Sequence, residues 1–263
     1  MADGQRERHE FVALLELADS RGGDLDGGRG GDAPGLGLPE APPIPFDTEQ
    51  QAVAAGSQLI EFDASVSPDL RSAVTNVMLL AQLAANKAAP SGPIEAWYAK
   101  YTEVLGMLGW VTSGLSEKDD HFDGAGIDVQ QAILGVLTAA LGPGAAAASI
   151  LAAAIGALGK TADTGGWIDL FERASRHTSF TSFQLSYGTA KDGEARLHLL
   201  CFSLDADSET ERVIFFRIGA AHAQLRQYSG DIAADPAMLM QTKDVVAAKV
   251  AASAADYLST IAI

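Results

Sequence analysis

The segment Asp119-Asp120-His121-Phe122-Asp123-Gly124 begins like a calcium-binding loop, with carboxylates spaced to converge on a hard cation. An EF-hand loop needs an oxygen ligand at its third position and a bidentate Glu at its twelfth. Counted from Asp119, those positions hold His121 and Gln130. The strongest ligands are absent, so the segment reads as a solvated acidic turn, with a weak divalent-cation site as the alternative.

Gly159-Lys160-Thr161 has the ending of a phosphate-binding loop, whose backbone amides and lysine cradle phosphate oxygens. The pattern requires a glycine five positions before Gly159, and Ala154 stands there. It also requires a preceding strand, whereas an apolar helical stretch comes first. These residues read as a helix C-terminus. Gly27-Gly28-Arg29-Gly30-Gly31-Asp32 partly matches a calcium-binding nonapeptide, but such repeats share ligands between stacked copies and this is a single one.

The histidines, at positions 9, 121, 177, 198 and 222, show no zinc-ligand spacing. His198 and His222 fall on neighbouring strand patterns and are expected to approach each other across a sheet. Cys201, the only cysteine, excludes an internal disulfide and lies mid-strand between Leu200 and Phe202, where burial keeps a thiol protonated and inert. There is no Gly-x-Ser-x-Gly elbow. No catalytic, cofactor-binding or metal-binding residue is therefore assigned, and no cofactor is expected.

The elements that would position any site divide the chain in two. Residues 8–18 put Phe11, Val12, Leu14, Leu15 and Leu17 at helical spacing, and Ser20 to Pro45 is rich in glycine and proline. Residues 1–46 thus read as a flexible arm carrying a short amphipathic helix. That helix either docks on a partner or packs on its own domain.

Residues 47–263 read as one α+β domain. Helices are expected over Thr48 to Phe62, over Leu70 to Lys87 and from Ile94 to Leu108. In the second, Val74, Val77, Met78, Ala81 and Ala84 form one face; in the third, Ile94, Trp97, Tyr98, Tyr101, Val104, Leu105 and Leu108 do. Ser116 to Gly126 is a polar loop. From Ala132 to Gly159 the chain carries no charge, and Gly142-Pro143-Gly144 breaks it into a buried apolar helical hairpin, with Gly144, Ala148 and Ala152 as a small-residue ridge. Each arm of about 15 residues spans roughly 22 Å, short of the roughly 30 Å of a bilayer core.

Beyond Trp167 the period changes to two. Strands are expected over 179–187, 195–204 and 213–218, paired as neighbours in that order, with a fourth from His222 to Tyr228. Together they make a three- to four-stranded antiparallel meander. Strands two and three are apolar on both sides, so both sheet faces need cover. Asp235-Pro236 then caps a C-terminal helix, with Val245, Val246, Val250 and Tyr257 turned inward.

The formal net charge is −16, with 34 acidic against 18 basic residues. That excludes nucleic acid as a partner, since phosphates need clustered lysine and arginine. The charged N-terminus lacks the continuous apolar core of a Sec signal, so the expected location is cytoplasmic, or outside the cell by another route.

Three classes of function remain. The first is a non-enzymatic assembly or binding module, a homo-oligomer or one that docks on a protein partner through its arm. The second is a membrane-active protein of pore-forming-toxin type that exposes the 132–159 hairpin on a trigger. Acidification would serve, because it discharges carboxylates and weakens lipid repulsion together. The third is an enzyme whose site is assembled from scattered residues.

Overall fold

The computed structural model describes residues 2–17, 52–90, 93–112, 116–123, 129–141, 181–206, 222–254 and 258–261, with Ala148, Leu151, Ala152, Phe171, Ala174 and Ser175 besides. Within them lie the helices α1 (Ala2–Leu14), α2 (Pro68–Ala88), α3 (Ile94–Met107), α4 (Val129–Leu141) and α5 (Pro236–Ala254). The strands are β1 (Ala52–Ala55), β2 (Gln58–Phe62), β3 (Trp110–Thr112), β4 (Ser116–Asp123), β5 (Thr181–Lys191), β6 (Glu194–Ala206), β7 (His222–Ala234) and β8 (Leu258–Ile261). The fold is α+β, helix-rich in its N-terminal half and closed by a C-terminal helix.

All eight strands join one mixed sheet in the order β3-β7-β6-β5-β2-β1-β8, with β4 also pairing β7. β5, β6 and β7 form an antiparallel meander, and β5 meets β2 in the sheet's one described parallel pairing. Lys191-Asp192-Gly193-Glu194 closes the first meander hairpin. Asp192 and Gly193 both take positive φ, 55° and 81°, as a two-residue turn matched to strand twist requires.

Three sequence expectations are corrected. Thr48 to Phe62 contains no helix among its described residues but a tight hairpin, β1 and β2, turning at Gly56-Ser57. Both strands are buried throughout, so no polar alternation marked them, and the alanines of β1 favoured a helical reading. Gly56 has φ +57°, and a Cβ there would meet Gln82 Oε1 at 2.5 Å. Ser116 to Asp123 is an edge strand rather than a loop; its charges are what edge strands carry to block further pairing. The third meander strand is β7, paired with β6 from Ala195↔Ala234 to Ala206↔Ala223. β7 is thus the described neighbour of β6 opposite β5, and residues 213–218 lie outside the described residues.

Helices cover the first face of the sheet. The stripe of α3 is buried as expected, with the Trp97 and Tyr101 rings stacked at 5.2 Å. α2 begins at the N-cap Ser67, whose hydroxyl accepts from the Leu70 amide, and Pro68 fits the first turn. It is buried on most of its circumference, between the sheet and the other helices. α5 is capped by Asp235, whose Oδ1 accepts from the Ala237 amide at 2.8 Å, and it buries Val246 and Val250. The N-terminal helix packs on its own domain. Val12 and Leu15 are buried, His9 contacts the Gln241 carbonyl, and Lys249 Nζ donates to the Ala13 carbonyl.

Candidate functional site

Because side chains alternate along a strand, register sorts the sheet residues into two faces. Val53, Ala55, Ile60, Phe62, Leu197, Leu199, Cys201 and Ile232 lie in one core with α1, α2, α3 and α5. Leu59, Phe183, Leu185, Leu200 and Phe202 point to the other side and are equally buried. Phe183 stacks on Phe202 at 4.9 Å, and Phe171 stands edge-on to Phe183 at 6.3 Å. Ile133 and Leu137 of α4, with Leu151, Phe171 and Ala174, are buried and do not belong to the first core. All five fall between residues 129 and 175, and of them Phe171 is seen against the second face, through Phe183.

Among the α4 side chains described, those of residues 133–141, Ile133 and Leu137 are buried, one turn apart, while Gly135, Thr138, Ala139 and Ala140 are exposed. The second arm of the expected hairpin is described at Ala148, Leu151 and Ala152, all helical. Gly144 and the Gly159-Lys160-Thr161 sequence lie outside the described residues. Among those described, no helix is long and apolar enough to cross a membrane.

Four polar residues of the second face fall on one line across four strands. Glu61, Tyr187, His198 and Asp231 are successive register partners on β2, β5, β6 and β7. Tyr187 donates to Asp63 Oδ2 at 3.3 Å, and His198 Nδ1 lies 2.8 Å from Asp231 Oδ1. His198 and His222 do not approach each other. His222 sits nine residues from Asp231 on β7, a separation of roughly 30 Å along a strand. No nucleophile sits in this line, and no group of three metal-binding side chains occurs among the described residues. Asp119, Asp120, His121 and Asp123 lie on β4. The segment is therefore strand and not the loop that an EF-hand site requires.

Glu61 is 4% exposed, and its Oε2 has no hydrogen-bond partner among the described residues. Burial, and then the neighbouring Asp63 carboxylate, push its pKa up to about 7, while Arg71 pulls the other way. Asp63 moves down, because the Ser65 amide and hydroxyl hydrogen-bond its charged form. The folded protein therefore holds the Glu61 proton more tightly than the unfolded chain does. Its contribution is full below the ordinary value of 4.5 and is lost as pH rises through about 7. Acidification does not loosen the fold through this group. A shift of this size corresponds to a loss of about 2–3 kcal/mol. We expect Glu61→Gln to remove that slope: urea midpoints at pH 5 and pH 8 should converge in the variant and differ in the parent. An unchanged slope would exclude Glu61 as its source.

The first face carries a buried polar network that sequence inspection missed, since its members are scattered glutamines and serines. Gln82 Oε1 accepts from the Ser57 amide at 2.9 Å and hydroxyl at 3.1 Å. Its Nε2 donates to the Ala55 carbonyl at 3.0 Å and to Gln58 Oε1 at 3.2 Å. Gln58 Nε2 donates in turn to the Ser186 hydroxyl at 2.6 Å. Cys201 lies beside Tyr98 in this region, fully buried, and burial pushes its thiol up to about 12. A thiol so protonated and enclosed is no nucleophile. Ellman's reagent should label it at least a hundredfold more slowly in native than in urea-unfolded protein; comparable rates would contradict its placement.

No family model and no curated protein matches this sequence. Among solved structures, the chain is similar to a delta-endotoxin at 13% identity and a TM-score of 0.39, over 68% of this chain and 83% of that one. It is similar to the activated Cyt2Ba monomer from Bacillus thuringiensis subsp. israelensis at 12% identity and a TM-score of 0.39, over 69% of this chain and 98% of that one. Similarity to the Evf virulence factor is 10% identity with a TM-score of 0.31, over 78% and 84%. No family is shown by these likenesses. At this size they carry no inference about activity.

Proposed function

We propose that this protein is membrane-active, presenting the second face of its meander to lipid once that face is uncovered. One observation carries the reading. Phe183, Leu185, Leu200 and Phe202 make a continuous apolar surface on two neighbouring strands, and all four are buried, with Phe171 edge-on to Phe183.

Strand length supports it. β5, β6 and β7 have 11, 13 and 13 residues, against the roughly 9–11 that a tilted strand needs to cross a bilayer. β5 carries no charge from Thr181 to Ala190, and it alternates Phe183, Leu185 and Tyr187 with Ser182, Gln184 and Ser186. One side of such a strand suits lipid and the other suits water. Gln227, Ser229 and Asp231 limit the apolar surface on β7, so contact centres on β5 and β6.

Backbone groups at an open sheet edge are not tolerated in hydrocarbon, so three strands from one copy do not suffice. The reading therefore requires copies to pair edge to edge, which makes a second copy of this chain the expected partner. The arm is not needed for this, since α1 already rests on its own domain. Release of an encapsulated dye from phosphatidylcholine and phosphatidylglycerol vesicles, followed from pH 4 to pH 9, tests the proposal. Release that rises with protein concentration more steeply than linearly is expected. Background release on both lipids throughout that range would overturn it.

A further inference from the structure

We propose that the groove at the C-terminal end of α1 binds a long-chain fatty acid anion. The inference is independent of the membrane reading. The groove has a volume of about 400 Å³ and is lined by Phe11, Leu14, Leu15, Ala84, Ala88, Lys87, Lys100 and Glu16. That volume lies within the 300–1,000 Å³ typical of small-molecule sites, and it accommodates one acyl chain.

Its chemistry is two-part. Phe11, Leu15, Ala84 and Ala88 give an apolar floor, and Leu14 at the rim is 75% exposed, a large side chain without cover. Basic groups gather at this end of α1 in a chain of net charge −16. Lys87 is exposed and has no ion-pair partner among the described residues. Lys100 bonds Glu103 at 2.8 Å, and Lys249 is held by the Ala13 carbonyl. Glu16, also on the lining, repels an anion, so the ligand carboxylate is expected toward Lys87. An apolar floor beside a free ammonium selects a single-chain anionic amphiphile over a cationic or neutral one.

The test titrates the intact chain with a dansyl-labelled undecanoic acid and displaces the probe with palmitate. Saturable binding of one probe per chain is expected. Lys87→Glu should weaken it about tenfold, and Leu14→Trp, which fills the groove, should weaken it at least as much. Both positions are exposed, and circular dichroism confirms that the variants fold. No saturable binding overturns the proposal, whatever fills the groove. Binding untouched by both substitutions, or equal displacement by dodecylamine, also overturns it. Displacement by phosphatidylglycerol vesicles but not by palmitate would reassign the surface to a lipid bilayer and reject the fatty acid.

Discussion

Leu137→Ala should accelerate dye release from vesicles several-fold, while Leu105→Ala should not. Both side chains are buried, and truncating either costs about 2–5 kcal/mol by lost transfer energy and cavity formation. Comparable loss of stability is expected, so general loosening is controlled for. What differs is the layer. Leu137 is buried on α4, with Ile133 one turn away, and both lie outside the first core. Leu105 lies in the stripe of α3, in the first core. If α4 covers the second face and its lifting limits membrane contact, the α4 variant lowers that barrier and the α3 variant leaves it. Equal acceleration by both would mean that global unfolding permeabilises the vesicle, and the cover would have no special part.

Gln82→Leu should destabilise the fold by about 3–5 kcal/mol, although it exchanges one buried side chain for another of similar size. The Ser57 amide and hydroxyl, the Ala55 carbonyl and Gln58 Oε1 all lose a partner in the interior. A buried donor or acceptor left unpaired costs about 1–3 kcal/mol, and some of these groups relax toward Ser186 and Tyr101. The hairpin turn at Gly56 is held to α2 by these bonds, so the loss falls on β1 and β2 first. Chemical denaturation of the variant beside the parent measures it. A change below about 1 kcal/mol would show that the network is dispensable.

The helices of the first layer were legible because each has one polar side or a clear stripe. Trp97, Tyr101, Val104 and Leu108 repeat at helical spacing and are buried as that spacing demands. The β5–β6 hairpin was legible because Asp192-Gly193 is chemistry that only a tight turn uses. β1 and β2 were not, because strands buried on both faces lose their alternation and alanine-rich ones imitate helices. β4 was hidden by the charges that protect an edge. The Glu61–Tyr187–His198–Asp231 line depends on register between strands far apart in the chain, which local patterns do not encode. The need for cover on both faces was readable from Leu199, Leu200, Cys201 and Phe202. Which helices supply the cover was not.

The most direct test of lipid contact by the second face is photolabelling from within the bilayer. Vesicle-bound protein is irradiated in the presence of phospholipids that carry a diazirine in the acyl chain, and adducts are located by mass spectrometry. Adducts on Phe183, Leu185, Leu200 and Phe202, with none on Gln184, Ser186, Leu199 or Cys201, are the expected result. Labelling of both sets alike, or labelling confined to residues outside β5 and β6, would contradict the account.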